Sequence, residues 1–242
     1  SAILFLILRR RHKNHVMAPD RELLAALRLD RVILGKVLRI GLPTGLQMVV
    51  LSLSELVILA LVNGHGSQAT AAYGAVTQIV NYVQFPALSI AITASILGAQ
   101  AIGAGRLERI GPILRTGLLI NTCLTGGLIV LGYWLLGLFI TDDAARVNAE
   151  HLLHIMLWSI LVFGFQAVIG GIMRASGVVL MPVVISIFCV LCVELPMAYL
   201  LNAHFGLEGV WMAFPVTYLA MLGLQTAYYR LVWRHKQIKR LV

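Results

Sequence analysis

The stretch GLPTGLQMVVLSLSELVILALVNGHG, residues 41–66, decides how this chain is read. Between residues 40 and 62 the only ionisable side chain is Glu55. A helix over those positions rises 1.5 Å per residue and reaches about 34 Å, enough to cross a bilayer core. A carboxylate inside such a span costs about 2.5–3.5 kcal/mol on insertion scales, so it is kept only against a partner or a polar cavity. Pro43 adds a second cue, because a proline early in a span frees backbone groups that must be satisfied nearby. The plainer alternative is a helix-end proline and a glutamate hydrogen-bonded to a neighbouring helix.

The rest of the chain has the same character. It is 60% hydrophobic and 12% charged, with a mean hydropathy of +0.90. A soluble domain carries roughly 25% charged residues. The composition therefore predicts an all-α, polytopic membrane helix bundle. The three cysteines, Cys123, Cys189 and Cys192, all fall in apolar runs. The CxxC of Cys189 and Cys192 reads as small packing residues on a membrane helix, not as a redox or metal pair.

Six spans are expected, near residues 40–62, 72–102, 112–139, 152–173, 179–201 and 209–233. The connections NGHGSQAT, GAGRLERIG, TDDAARVNAEH, RASGVV and NAHFGLEG carry turn and cap residues. Pro112 suits the first turn of its helix. Pro43, Pro86 and Pro196 are expected to kink theirs. Ahead of the first span, residues 1–39 hold a short apolar run, SAILFLIL, and then a basic connector. Eight residues cover only about 12 Å, so the run is expected to be the tail of a truncated span. In the connector, Leu23, Leu27, Leu34, Val37 and Leu38 share one helical face, opposite Arg21, Arg28, Lys36 and Arg39. That pattern predicts a helix lying in the headgroup region. Residues 40–233 are expected to form the six-helix lobe and 234–242 a basic tail.

The net charge of +9 sorts by loop. Nine Lys/Arg lie in the connector, and Arg106, Arg109, Arg115 and Arg174 in alternate loops. Arg230, Arg234, Lys236, Lys239 and Arg240 lie at the end of the chain, and only Arg146 falls on the opposite side. By the positive-inside rule the connector and tail are cytoplasmic, in a plasma membrane expected to be a bacterial inner membrane. The basic excess is thus topology, with anionic lipid as its partner, and no nucleic acid is implied.

No enzyme constellation is present: no HExxH, no GxSxG and no Walker loop. His151 and His154 stand at i, i+3, half of a metal site or an interfacial pair near a helix start, and the spacing favours no metal. Polar residues within spans say more. Glu55 is in the first, Gln78, Asn81, Tyr82 and Gln84 in the second, Asn121 in the third, Gln166 in the fourth and Glu194 in the fifth. Amides of this kind serve either as glue between helices, worth about 0.6 kcal/mol each, or as the lining of a cavity. Two carboxylates, several amides and several prolines in one bundle favour a polar midplane cavity, as in secondary transporters. The candidate substrate- or ion-binding residues are Glu55, Gln78, Asn81, Tyr82, Gln166 and Glu194. Glu55 is expected to face the lobe's interior, with Glu194 second.

Several ordered pieces carry a family resemblance: GLPTGLQ (41–47), LVNGHGSQATAAYG (61–74), FPALSIAITASILGAQAIGAGRLER (85–109), QAVIGGIMRASG (166–177), LPMAYLL (195–201) and GLEGVW (206–211). In this order they resemble the C-terminal half of multidrug and toxic compound extrusion (MATE) transporters, over residues 35–233. The resemblance implies a twelve-helix protein of two six-helix lobes around a V-shaped cavity. It implies export of small amphipathic or cationic compounds, driven by sodium or proton antiport without a cofactor. This chain would be the second lobe, its partner the missing N-terminal lobe. One departure stands out. Where some members place an aspartate in the fourth span this chain has Phe163, and their first-span glutamate falls near Leu51, one turn before Glu55. Two other readings are a flippase for lipid-linked oligosaccharides and a non-transporting membrane scaffold. The near absence of Lys/Arg inside the spans argues against binding a pyrophosphate.

Overall fold

The computed structural model describes residues 30–139 and 143–233. The expectations for the start of the chain, the basic tail and the side chains of His151 and His154 lie outside the described residues. Two compact units are distinguished, residues 1–42 and 43–242. Of the first, only the opening of a helix is described. Apart from the extent of that helix, everything below concerns the second.

Six helical rods account for the described residues, and no strand occurs among them. α1 is Arg31–Asn63, α2 is Ser67–Gly103, and a short 3-10 turn at Leu107–Arg109 leads into α3, Ile110–Phe139. α4 is Asp143–Ala175 and α6 is Leu207–Leu231. Between them α5 runs through Leu180–Phe205 without a break. It is α-helical over Leu180–Cys189, π-helical over Val190–Glu194 and α-helical again over Leu195–Phe205. The rods match the six expected spans in number and order; the first five are longer than their spans, and α6 has the same length, shifted two residues toward the start of the chain. α1 in particular runs back through residues 31–39, so the helix there is continuous with the first span. Among the described residues five rods are long and apolar enough to cross a membrane: Val37–Asn63 of α1, Ser67–Gly103, Ile155–Ala175 of α4, Leu180–Phe205 and Leu207–Leu231.

Prolines shape the rods. Pro43 lies inside α1 and Pro86 inside α2, as expected. Pro215 inside α6 was not anticipated. In α5 the ladder widens just ahead of Pro196: the N–H of Leu195 bonds to the carbonyl of Val190, five residues back instead of four. Pro196 then has no N–H to offer. A single residue, Gly206, joins α5 to α6 at φ +61°, a left-handed conformation that side chains with a Cβ rarely adopt.

α4 is the centre of the lobe, packed against α2, α3 and α6. Its contact with α2 is close because Gly171 lies over the Ala91 carbonyl; a Cβ there would sit 2.5 Å from that oxygen. One core cluster joins Ile58 and Val62 of α1 to Tyr73 and Val76 of α2, Leu157 and Ile160 of α4 and Trp211 of α6. Tyr73 and Trp211 stack there at 4.8 Å. A second cluster, toward the other end of α4, gathers Ala94, Val168, Ile172, Met173 and Trp233. A smaller third one has Cys189, Val190 and Met221, with Val50 and Leu51 of α1 against it. Large apolar side chains such as Leu53, Leu56, Phe188 and Leu191 stand exposed around the outside. In water such a surface would drive association, whereas in a bilayer it is the ordinary outer face.

Candidate functional site

The sequence spaces buried residues on α1 at Ser54, Ile58 and Val62, one helical turn apart. Ser54 therefore points into the lobe, where its hydroxyl donates a hydrogen bond to Oε1 of Glu194 at 2.9 Å. Both side chains are buried, at 2% and 6% exposure. Glu194 is the last residue of the π turn. The turn thus places a carboxylate against the middle of α1 from a helix far away in sequence. A carboxylate is an acceptor, and a proline frees carbonyls, which are acceptors too. Glu194 in its ionised form therefore does not repair the ladder at Pro196, and its bond goes across to α1 instead.

Glu55 is turned differently. Successive helical residues are about 100° apart, so with Ser54 inward Glu55 swings to the flank. Its side chain is exposed. The expectation that Glu55 faces the lobe's interior is corrected: Glu194 is the interior carboxylate and Glu55 the surface one. α1 is apolar nearly all round, so no polar stripe announces which side faces in. The two carboxylates are still near enough for their charges to act on each other. Tyr218 of α6 completes the group. It lies near both glutamates and near Gln84 of α2. Its ring meets that of Phe163 at 5.4 Å.

The structure therefore brings together Ser54, Glu55, Gln84, Glu194 and Tyr218. It sets the other expected residues elsewhere. Gln78 and Tyr82 lie on the exposed face of α2, Tyr82 at 61% exposure, and Asn81 is half-buried. Gln166 is buried in α4, three residues after Phe163. Phe163 and Leu51, the two positions flagged as apolar departures, are both packed into core clusters. Ser54 and Tyr218 escaped the sequence reading because a serine and a tyrosine in an apolar span look like ordinary packing residues. Only the tertiary pairing with Glu194 distinguishes them.

Further buried polar atoms lie away from this group. Asn121 is fully buried on α3; its Oδ1 accepts from Thr125 at 3.2 Å, and its Nδ2 has no hydrogen-bond partner. Gln225 Oε1 and Thr77 Oγ1 are also buried without one. Among the described residues no cluster of three or more His, Cys, Asp or Glu could hold a metal ion. The donors at the site are two carboxylates, two hydroxyls and an amide. Such an oxygen-rich set suits a proton or a hard cation and offers no nucleophile with an adjacent base.

The MatE family model matches residues 43–200. The "Probable multidrug resistance protein YoeA" of Bacillus subtilis is 41% identical over 248 residues, taking in 100% of this chain and 54% of the relative. The "Multidrug export protein MepA" of Staphylococcus aureus is 25% identical over 217 residues, 87% of this chain and 46% of the relative. Among solved structures, a mutant of the Vibrio cholerae MATE transporter VcmN has a TM-score of 0.78 at 17% identity, covering 98% of this chain and 53% of that one. An outward-facing MATE family transporter of the MOP superfamily has a TM-score of 0.71 at 20% identity, covering 83% and 46%. These structures share the fold. The chain spans about half the length of the curated relatives it matches.

Proposed function

Because this chain belongs to the MATE family of multi-pass membrane transporters, we propose that it is the C-terminal lobe of an ion-coupled exporter of small amphipathic or cationic compounds. Members of the family are transporters, not enzymes; they run on ion gradients and use no organic cofactor. The observation that carries the reading is the buried Ser54–Glu194 bond. A lone intramembrane carboxylate marks an ion or substrate pathway more often than a structural pair. Here it is the bond that ties α1 to α5. When Glu194 takes up a proton or a sodium ion, its charge is neutralised and the charge-assisted hydrogen bond from Ser54 weakens to an ordinary one. Ion occupancy would thereby bias where α1 sits against the lobe, as alternating access requires. Glu55, on the flank of the same helix, is placed to meet a cationic substrate or a second ion. The N-terminal lobe would supply the other wall of the cavity. In this reading residues 1–39 form the tail of a preceding span and a basic cytoplasmic connector, 40–233 the lobe and 234–242 a cytoplasmic tail, in a bacterial inner membrane.

The test is drug efflux from vesicles containing the complete two-lobe transporter. Glu194→Gln keeps size and hydrogen bonding but removes the charge. It should abolish sodium- or proton-driven efflux while expression and folding stay intact, and Glu55→Gln should reduce efflux by less. Unchanged ion dependence in the Glu194→Gln protein would make this carboxylate structural and move the coupling site to the other lobe.

A further inference from the structure

A groove of about 830 Å³ runs between α2 and α3, and its walls are almost wholly apolar. Pro86, inside the unbroken α2, lies on its wall with Phe85, Ile90 and Leu97, facing Ile113, Ile120 and Leu124 of α3. Three hydroxyls lie on its wall, those of Ser89, Thr93 and Thr116. Ser89 donates to the Phe85 carbonyl at 3.0 Å and Thr93 to the Ser89 carbonyl at 2.8 Å. The groove therefore offers its occupant contact with apolar walls far more than hydrogen bonds. From Phe85 to Leu97 a helix rises about 18 Å, close to the ~15 Å of one leaflet's hydrocarbon.

Its mouth is charged. The groove lies in the halves of α2 and α3 that meet at the 103–110 connection. That connection and the first turns of α3 carry Arg106, Arg109 and Arg115, all exposed. Arg109 is one turn ahead of Pro112 at the groove's end, and Arg115 adjoins Thr116 on its wall. Glu108 sits among them, which leaves a net positive rim. An apolar trough one leaflet long, with cations where the headgroups lie, selects against a cationic drug and for an amphiphile with a negative head.

We propose that this groove is a binding site for one anionic phospholipid, its acyl chain along α2 and α3 and its phosphate on the Arg106–Arg109–Arg115 rim. The probes are phosphatidylglycerol and phosphatidylcholine carrying the same photoreactive group on an acyl chain, with the chain held in nanodiscs and labelled peptides mapped by mass spectrometry. Phosphatidylglycerol should label residues 85–97 and 112–124 preferentially, and phosphatidylcholine should not. Each surface arginine is worth about fivefold in anionic lipid binding, so Arg109→Gln combined with Arg115→Gln should cut the labelling more than tenfold. Thr93→Trp should fill the trough and block it. If that variant fails to fold, the arginine pair, which lies on the surface, still decides. Equal labelling by the two lipids would overturn the proposal, as would indifference to the arginines or labelling spread evenly onto Phe188 and Leu191 of α5. Two further outcomes would also overturn it. One is displacement of the probe by a cationic amphiphile as effectively as by phosphatidylglycerol. The other is loss of labelling once the N-terminal lobe is present, which would mean that protein covers the groove.

Discussion

α1 and α4 are each 33 residues long, and both are apolar enough to span a membrane. By composition they are near twins, yet they occupy opposite positions. Two thirds of the most apolar stretch of α4 is buried, against 17% for α1. Each has three glycines, but a Cβ added at Gly45 of α1 meets nothing within 4 Å while Gly171 of α4 stands against a neighbouring backbone, so the difference lies in whether the small residues face a partner. Lipid tails are as apolar as leucine, so hydrophobicity gives membrane helices no reason to prefer one another, and close packing decides. α4 carries Gly164, Gly170 and Gly171, and at Gly171 it comes against the backbone of α2. α1 carries Leu, Met and Val on much of its surface and touches the lobe along one stripe. That stripe includes the buried polar bond. Under the proposed function, a helix held this lightly is the one whose position a proton or an ion at a single bond would bias.

The contrast can be broken most sharply at α4. Gly171→Val should be the most damaging change, since its first carbon already meets the Ala91 carbonyl at 2.5 Å. Overpacking of this kind costs about 1–3 kcal/mol. The expected result is poor expression and a lowered melting temperature in detergent; a normal melting curve would show that α2 and α4 are looser than their contact suggests. Ser54→Ala on α1 comes next. It removes one charge-assisted hydrogen bond, worth about 1.5–3 kcal/mol, and leaves Glu194 buried and unpaired. Its mark should be a shift in ion dependence larger than its effect on melting, and a cycle with Glu194→Gln should be non-additive. A purely structural bond would show the reverse ranking. The smallest effect is expected at Gly45→Ala on α1, where an added Cβ meets nothing within 4 Å. Melting should stay within about 0.5 kcal/mol of the parent or rise slightly. A large loss there would mean that α1 packs against something in the complete transporter.

The helices were legible because hydropathy and turn residues such as Gly66, Gly105, Gly177 and Gly206 report on membrane crossing and its interruption. Pro86 and Pro43 were legible for the same reason. The site was legible only in its residue types. That Glu55 and Glu194 are the candidates followed from the cost of placing a charge in an apolar span. Which of them faces inward did not, because a helix greasy on every side has no amphipathic period to orient it. The Ser54 partnership and the approach of Tyr218 depend on contacts between distant segments. The π turn depends on a single N–H reaching five residues back, for which the residues Val190–Glu194 carry no local signature.

That turn has an arithmetical consequence. Buried positions on α5 recur every fourth residue, at Pro182, Ser186, Val190, Glu194 and Ala198. In a uniform α-helix such a series drifts by about 40° per step, so Glu194 would stand about 80° away from Ser186. The π turn accommodates one surplus residue and brings the two back to within about 20°. Removing one residue from 191–193 and letting the rod become regular would preserve that alignment, since seven α-helical steps make nearly two full turns. In most membrane helices a one-residue deletion turns everything beyond it by about 100°. Here it should leave Glu194 facing Ser54, which makes this short segment the place in α5 where the gene can lose a codon and keep the carboxylate inside.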